Sequence, residues 1–309
     1  MKIKLLISYH KRSKIISDDI LTPIHLGRVL AREKEENSDD FKWMYDNMIG
    51  DDTGENISAK NPSFNELTAI YWAWKNYDVL GAPDYIGFMH YRRHFVFREC
   101  SKLYFETPTI DDNYFKKVNY TEQNVNDMLS ACDFVTNTPH KRTSVYNHYK
   151  NAHDISELEL VLELISEFYP DYAEAANTYV YGDKSYFYNM FIFPRDIFFR
   201  YAEWIFDILF KFESRLNDSS KRMFVSERLT GIFITKLLNE GYKAKSLPTM
   251  FITGKKPSLK TASNQTKANL LKQKGENSGI KAKFYAFKPI ILYFTPSFIV
   301  KAYRNRKAR

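Results

Sequence analysis

Two imidazoles and two guanidiniums follow one another in the stretch His90-Tyr91-Arg92-Arg93-His94. The planar fork of each arginine can bind the oxygens of a diphosphate in bidentate fashion. A solvated loop whose arginines pair with nearby acids is the alternative reading. Because the whole cluster directly follows one apolar run, we favour anion binding and take His90, Arg92 and Arg93 as its candidate residues.

Two glutamates at predicted helix starts are candidates for proton transfer. Glu66 stands just before an apolar helical repeat, and Glu227 lies in the first turn of a helix that opens at Ser226. A carboxylate can accept the proton of a substrate hydroxyl. Each glutamate also has a structural reading, because Ser63 with Glu66 has capping-box spacing and the helix dipole favours a carboxylate at Glu227.

The loop Ile49-Gly50-Asp51-Asp52-Thr53-Gly54 is a third candidate. Asp51 and Asp52 could contact sugar hydroxyls or a metal ion. Asp and Gly also favour turns for backbone reasons alone, and this reading is preferred.

The elements that must position these groups can be read from the hydrophobic pattern. Leu67, Ile70, Tyr71 and Trp74 recur at helical spacing, which predicts an amphipathic helix that opens near Asn61 to Ser63. The run Tyr85 to Met89 is short, aromatic and bounded by turn residues, as in a buried central strand. Ligands of open α/β sheets bind beyond the carboxyl ends of the strands, where His90 stands. Gly87 predicts a close approach to the backbone of this strand.

The remaining pattern alternates strands and helices and predicts an α/β fold with a mixed central sheet flanked by helices. The expected strands are 3–9, 186–194 and 243–248, with a strand-like end at 132–135. The expected helices are 155–168, 196–212 and 226–240, with another inside an insertion at 101–133; residues 20–27 and 136–154 are expected to be loops.

Several classes of protein are excluded by what the sequence lacks. No GxGxxG or GxxxxGK[ST] motif is present, which argues against dehydrogenases and P-loop NTPases. The two cysteines, Cys100 and Cys132, have neither disulfide-framework nor zinc spacing, so a reducing cytoplasm is expected. The first apolar run is too short for a signal peptide, and no stretch reaches the ~20 apolar residues of a spanning helix.

The net charge of +8 is concentrated at the end of the chain. Residues 255–309 hold 14 Lys and Arg and a single acid, Glu276, whereas residues 1–254 carry a net charge of −5. We therefore expect a folded domain at 1–253 and a basic linker with an amphipathic tail at 254–309. Aromatic residues with flanking Lys and Arg predict binding of the tail to an anionic membrane surface, with a core-docked final helix as the alternative. Nucleic-acid binding is not expected, because basic charge alone supports only unspecific binding.

The ordered motifs ISYHK, IGDDTGENIS, NELTAIYWAWKN, YIGFMHYRRHF, YNMFIFPR and SERL resemble the DUF4422 family of bacterial capsule, O-antigen and exopolysaccharide clusters. The resemblance covers roughly residues 3–253. It implies a GT-A-like glycosyltransferase, related to galactofuranosyltransferases, that uses a UDP-sugar donor and a lipid-linked, undecaprenyl-diphosphate type of glycan acceptor. Inversion at the anomeric carbon is the expected outcome, and the expected location is the inner face of the plasma membrane.

The resemblance also suggests roles for individual residues. Glu227 or Glu66 would be the base, and Arg92, Arg93 and His90 would stabilise the departing diphosphate. Ser8 and His10 would lie near the nucleoside, and Asn189 would contribute to donor binding.

The chain departs from ordinary GT-A enzymes at the metal site. Those enzymes end the corresponding strand with Asp-x-Asp, which holds a divalent cation, whereas this chain has His90-Tyr91-Arg92. Either the arginines replace the cation, or Mn²⁺ or Mg²⁺ is held elsewhere, for instance by Asp51 or Asp52 with His90. Two rival functions are a hexopyranosyl or phosphosugar transferase and a non-catalytic membrane-associated module of a polysaccharide assembly complex.

Overall fold

The computed structural model describes residues 1–216 and 223–254. Its strands are β1 (Ile3–Tyr9), β2 (Leu21–His25), β3 (Ile49–Gly50), β4 (Tyr85–His90), β5 (Arg93–Phe95), β6 (Tyr104–Thr107), β7 (Phe134–Asn137), β8 (His140–Lys141), β9 (Lys184–Ser185), β10 (Phe191–Pro194), β11 (Ala244–Leu247) and β12 (Thr249–Ile252). Its helices are α1 (Arg28–Glu35), α2 (Asp39–Asn47), α3 (Asn61–Phe64), α4 (Leu67–Lys75), α5 (Tyr114–Lys117), α6 (Glu122–Ser130), α7 (Val145–Ala152), α8 (Ile155–Phe168), α9 (Ala173–Tyr181), α10 (Arg195–Arg215) and α11 (Ser226–Asn239).

Within the described residues, ten strands form one mixed sheet, whose main order is β11-β7-β10-β4-β1-β2-β3. β1 is parallel to both of its neighbours, β2 and β4, whereas β10 is antiparallel to β4 and β7. The predicted α/β class with a mixed central sheet is confirmed. Since β2 and β4 lie on opposite sides of β1, the carboxyl ends of these parallel strands form the kind of crevice in which α/β proteins bind ligands.

Successive side chains of a strand point to opposite faces of the sheet, so alternate residues belong to the two cores that lie on its two faces. In β4, Phe88 belongs to the core under α4 and α8 to α11, and Met89 belongs to the core on the other face, with α2, α5 and α6. Gly87 sits where a Cβ atom would lie 2.7 Å from Leu5 Cδ2 and 2.8 Å from the Phe191 carbonyl. The predicted close approach at Gly87 is therefore confirmed, and β4 is fixed between its two neighbours.

The two segments predicted to be loops contain regular secondary structure. Residues 20–27 contain β2 in spite of Pro23; the partner strand β3 pairs only with Ile24 and His25, so no ladder bond is lost at the proline. Residues 136–154 contain β8 and α7, and the Ser144 hydroxyl caps α7 by accepting from the Asn147 amide at 3.0 Å.

The helix predicted from Asn61 to Trp74 is broken in two. Asn65 separates α3 from α4 with a positive φ of 50°. The Asn61 side chain donates to the Asn65 carbonyl at 2.8 Å and so stabilises the break. The expected capping box does not form, because neither α3 nor α4 has a side-chain cap. Glu66 is thereby released for a different contact, described below.

The strand predicted over 186–194 is also shorter than expected, since β10 begins only at Phe191. Tyr188 and Asn189 before it have positive φ values of 74° and 47°. A positive φ is incompatible with a regular strand and uncommon for a bulky residue such as tyrosine.

Helices α9 and α11 pack closely at Gly231, which provides a stability test. A Cβ atom at Gly231 would lie 2.0 Å from Tyr179 Cζ, in a ring that is 4% exposed. We expect Gly231→Ala to lower the free energy of unfolding by about 1–3 kcal/mol, although alanine favours helix, because the ring has no room to move. Urea unfolding measures the change. In a Tyr179→Leu background the cost should shrink; an equal cost there would show that the close approach is not its cause.

Residues 1–106 and 110–252 form one compact unit. In the described part of the chain, no helix combines the length and apolar character needed to cross a bilayer. The predicted basic tail lies, from residue 255 onward, outside the described residues.

Candidate active site

A pocket of about 750 Å³ opens where β1 and β4 end and where α4 and α11 begin. It contains most of the predicted site residues, which come from four separate segments of the sequence between residues 8 and 227. The predicted residues that line it are Ser8, His10, Glu66, His90, Arg92, Arg93 and Glu227, and the other lining residues include Asn61, Asn65, His153, Tyr188, Phe224, Ser226 and Arg228.

The turn at Tyr188 and Asn189 holds this pocket together. The Tyr188 amide donates to Glu227 Oε1 at 2.7 Å, and the Tyr188 carbonyl lies 2.6 Å from His90 Nε2. Asn189 Nδ2 donates to Glu66 Oε1 at 2.8 Å. Left-handed backbone at two successive non-glycine residues costs roughly 1–3 kcal/mol each and persists only where its surroundings fix it. The strained turn thus places both glutamates and His90 around one point.

Glu227 is held by two hydrogen-bond donors and remains accessible. Besides the Tyr188 amide, Arg228 Nη1 contacts Glu227 Oε2 at 2.9 Å, and 24% of the glutamate side chain is exposed. Burial raises the pKa of Glu227, and Arg228 opposes this rise by favouring the ionised form. The helix dipole at the start of α11 also favours the ionised form of Glu227. A carboxylate in this position can accept a proton from a group bound in the pocket.

Glu66 is in a less polar setting. Its carboxylate accepts from Asn189, whose amide also donates to Ser226 Oγ at 3.1 Å and whose carbonyl accepts from Thr230 Oγ1 at 2.7 Å. Burial raises the pKa of Glu66, and the hydrogen bond from Asn189 and the charge of Arg93 oppose the rise. Asn189 therefore acts as a link between the two helix starts, buried behind the pocket wall, rather than as an open donor-binding group.

His90 uses its Nε2 proton for the Tyr188 carbonyl, because a carbonyl can only accept. Burial and the charge of Arg93 lower the pKa of His90 to about 4, so the ring is neutral at pH 7. The predicted role of His90 was a contact with phosphate. This geometry instead favours a role for His90 in positioning the turn. His94, in the same sequence cluster, points elsewhere: its Nδ1 lies 2.6 Å from the Tyr114 hydroxyl in the opposite core.

The two arginines of the cluster are available for an anion. Arg92 is exposed, with its guanidinium carbon 5.0 Å from the centre of the Tyr91 ring. Arg93 lies 4.6 Å from the centre of the Tyr188 ring, and its buried Nε has no hydrogen-bond partner. Among the residues the structure describes, neither guanidinium is paired with a carboxylate. The solvated salt-bridge reading of these arginines is therefore disfavoured.

Ser8 lies near the end of β1 and His10 directly follows that strand, at the edge of the pocket. Ser8 is buried and its carbonyl accepts from the Tyr91 amide at 3.0 Å, which ties the two strand ends together. His10 is exposed and meets the Tyr91 ring edge-on at 5.0 Å. Partial burial and the charges of Lys11 and Arg92 lower the pKa of His10. Both residues line the pocket, as a nucleoside-binding role requires.

Asp51 and Asp52 lie outside the pocket lining. Asp51 is fully buried and accepts from the amides of Gly27 and Arg28 and from the hydroxyls of Ser58 and Thr68. Its neighbour Asp52 pairs with Arg32 at 2.7 Å. Asp51 thus joins the start of α1 to the start of α4, and the structure favours the turn reading over sugar or metal contact.

The metal site suggested for Asp51 or Asp52 with His90 does not fit this arrangement. The two aspartates are engaged in the network around α1, and His90 Nε2 is bound to a carbonyl. Over residues 1–216 and 223–254, no three His, Cys, Asp or Glu side chains lie close enough together to hold a metal ion. The predicted contribution of these residues to a metal site receives no support from their geometry.

Arg228 and Phe224 line the pocket but were not predicted from the sequence. Arg228 is 3% exposed and its Nη1 also donates to the Phe224 carbonyl at 3.1 Å. The signal for Arg228 was its place beside Glu227 in SERL. Phe224 carries no local signal, because its contact with His153, the residue after α7, exists only in the folded chain.

A comparison with known protein families covers the same part of the chain as the sequence motifs. The family profile described as a domain of unknown function, DUF4422, matches residues 4–240. The chain belongs to the DUF4422 family. The resemblance predicted from its motifs is confirmed.

A solved structure extends this assignment. The apo structure of WbbM, a bifunctional glycosyltransferase, has a TM-score of 0.72 and 31% identity to this DUF4422 chain, over 82% of the chain and 46% of WbbM. The chain therefore spans about half the length of WbbM. The shared fold confirms the predicted α/β architecture, in which helices flank a mixed central sheet. No curated protein matches the chain.

Proposed function

We propose that the chain is a glycosyltransferase that moves a sugar from a UDP-sugar to a hydroxyl of a glycan acceptor. The observation that carries this proposal is the contact series from Arg93 through the Tyr188 ring to the backbone of Tyr188 and Glu227. It puts unpaired cationic groups and an accessible carboxylate in one pocket. The similarity to the bifunctional glycosyltransferase WbbM supports the same reaction class.

The chemistry assigned to these groups is a single displacement with inversion. Glu227 accepts the proton of the acceptor hydroxyl while that oxygen bonds to the anomeric carbon. The bond from the anomeric carbon to the β-phosphate oxygen breaks, and its electron pair leaves with UDP. Arg92 and Arg93 stabilise the charge that develops on the diphosphate, which is the role a divalent cation has in ordinary GT-A enzymes.

The biological setting is part of the same proposal. A galactofuranose or another hexose would be added to an undecaprenyl-diphosphate-linked glycan of a capsule or O-antigen. The enzyme would be cytoplasmic and would bind the inner face of the plasma membrane through the basic tail at 254–309. The composition of that tail, with 14 Lys and Arg against one acid from residue 255, is the support for membrane association.

Binding and slow hydrolysis of nucleotide sugars test the function. Purified protein is titrated calorimetrically with UDP, UDP-galactofuranose, UDP-galactopyranose, and GDP- and CMP-sugars, with Mn²⁺ and with EDTA. We expect UDP and one UDP-sugar to bind in EDTA, and that donor to release UDP slowly without acceptor. The anomeric configuration of the transferred sugar, read by NMR, should be opposite to that of the donor. No binding of any nucleotide would contradict the proposal and favour an assembly module.

A further inference from the structure

One aromatic pair in the pocket has no part in the chemistry assigned so far. The rings of His153 and Phe224 are stacked, with centroids 4.6 Å apart and planes at 29°. Phe224 is 40% exposed although it lines a pocket rich in charged groups. An open aromatic face among polar groups is suited to a ligand that has an apolar face and a polar rim.

The His153 ring of this pair is packed against buried groups. The His153 ring lies 4.7 Å from the ring of Tyr149, which is fully buried. The Tyr149 hydroxyl donates to Glu157 at 2.8 Å, and the Arg228 guanidinium covers the Tyr149 ring at 4.8 Å. Burial and the charge of Arg228 lower the pKa of His153, so its ring is neutral at pH 7. Ligand binding would therefore not have to order the His153 ring, on which Phe224 stacks.

Arg228 connects the aromatic pair to the proposed base. Its Nη1 lies 3.1 Å from the Phe224 carbonyl and 2.9 Å from Glu227 Oε2. One buried guanidinium therefore fixes both the backbone of the aromatic residue and the carboxylate that accepts the proton. A ligand bound on Phe224 would therefore lie next to Glu227.

The contacts also define an order along the pocket. Arg93 touches the Tyr188 ring, the Tyr188 amide binds Glu227, and Glu227 is joined through Arg228 to Phe224. The base thus lies between a cationic end and an aromatic end. A displacement reaction needs this order, because the leaving group and the attacking hydroxyl are on opposite sides of the anomeric carbon.

We propose that the exposed face of Phe224, which the His153 ring supports from behind, is the acceptor subsite and binds the apolar face of a sugar ring of the acceptor. The C–H bonds on one face of a pyranose or furanose ring pack against the π-face of Phe224, and the rim hydroxyls stay free to reach Glu227. This inference rests on the proposed function for its reaction, but the binding of a sugar ring can be measured on its own.

The test uses the 309-residue chain and simple sugar probes. Saturation-transfer NMR with a panel of methyl glycosides (galactopyranoside, galactofuranoside, glucopyranoside and mannopyranoside), with and without UDP, gives the affinity for each sugar ring. We expect at least one glycoside to bind, Phe224→Ala to weaken it about tenfold, and Phe224→Tyr to restore it. UDP affinity should stay within about twofold in Phe224→Ala, because the nucleotide is placed at the cationic end. Phe115→Ala is the matched control, since Phe115 is also 40% exposed but does not line the pocket.

Three outcomes would overturn the inference: no glycoside binding by the wild-type chain, equal glycoside affinity in wild type and Phe224→Ala, or a loss of UDP affinity in Phe224→Ala that matches the loss for the glycoside. The last would assign the rings to the base of the nucleotide. Failure of UDP to bind at all would contradict the proposed function instead. Glycoside binding would still test the acceptor subsite in that case. Equal melting temperatures of the variants establish that the fold is intact.

Discussion

Glu227→Gln is expected to lower kcat for sugar transfer by about 10²–10⁴-fold, the usual contribution of a general base. Glutamine keeps the size of the side chain and an oxygen for the Tyr188 amide, but it cannot take the acceptor proton. The donor that binds in the calorimetric panel, with a lipid-linked or glycoside acceptor, gives the rate. Donor affinity should change little, because Glu227 is assigned to the acceptor side.

The rival base is Glu66, and the same assay separates the two. Glu66 has a neutral partner, Asn189, and a glutamine there can still accept its hydrogen bond. We therefore expect Glu66→Gln to retain transfer within about tenfold of wild type. Near-normal turnover in Glu227→Gln with loss of turnover in Glu66→Gln would reverse the assignment.

A stability control is needed because Glu227 pairs with the buried Arg228. Removing one partner of a buried pair leaves an uncompensated charge, which is itself destabilising. Glu240→Gln is a matched control at the other end of α11, since Glu240 also pairs with an arginine, Arg200, at 2.7 Å but lies outside the pocket. Loss of transfer in Glu227→Gln at an unchanged melting temperature, with full activity in Glu240→Gln, isolates the chemical role.

The pH dependence follows from the environment of the same carboxyl. Burial raises the pKa of Glu227 above the ordinary value of 4.5. The base acts only when ionised, so activity should be full above the raised pKa and fall as the pH is lowered through it. The acidic limb of the pH profile of kcat should therefore have its midpoint above 4.5 in the wild type. The residual rate of Glu227→Gln should lack that limb.

The sequence predicted the parts of this site that depend on local pattern. A buried strand followed by His90 and Arg92 could be read from the apolar run Tyr85 to Met89, and α8 was placed at its observed ends. The carboxyl-end rule then located the pocket correctly, because β1 and β4 are parallel neighbours. These predictions succeed because periodicity and strand direction are properties of short segments.

The parts that failed depend on contacts between distant segments. The turn at Tyr188 and Asn189 is stabilised by His90 and Glu227, residues 98 and 39 positions away. Nothing in YNMFIFPR reports those partners, so the segment reads as a continuous strand. The capping-box reading of Glu66 failed for the same reason, since Asn189, 123 positions away, binds its carboxylate. Functional sites are where such local rules are expected to break.

The double variant Arg92→Ala/Arg93→Ala is expected to weaken UDP binding by about 10²-fold or more. A hydrogen bond to a charged group contributes about 1.5–3 kcal/mol, so loss of two guanidinium contacts to a diphosphate corresponds to at least two orders of magnitude. Calorimetric titration in EDTA measures the affinity. Arg98→Ala/Lys102→Ala is the charge-matched control, because it removes two cations from side chains that do not line the pocket, and it should bind UDP normally.

The conservative variant Arg92→Lys/Arg93→Lys decides how the arginines act. If they serve only as positive charge, two lysines should restore UDP binding almost fully. If the bidentate fork matters, the lysine variant should fall between wild type and the alanine variant, because an ammonium group binds as a point charge. UDP binding that needs Mn²⁺ in the wild type, or that survives the alanine double variant, would contradict the replacement of a cation by these arginines. The Arg93 guanidinium lies 4.6 Å from the centre of the Tyr188 ring, and this contact favours the fork because it restrains the guanidinium before the diphosphate arrives.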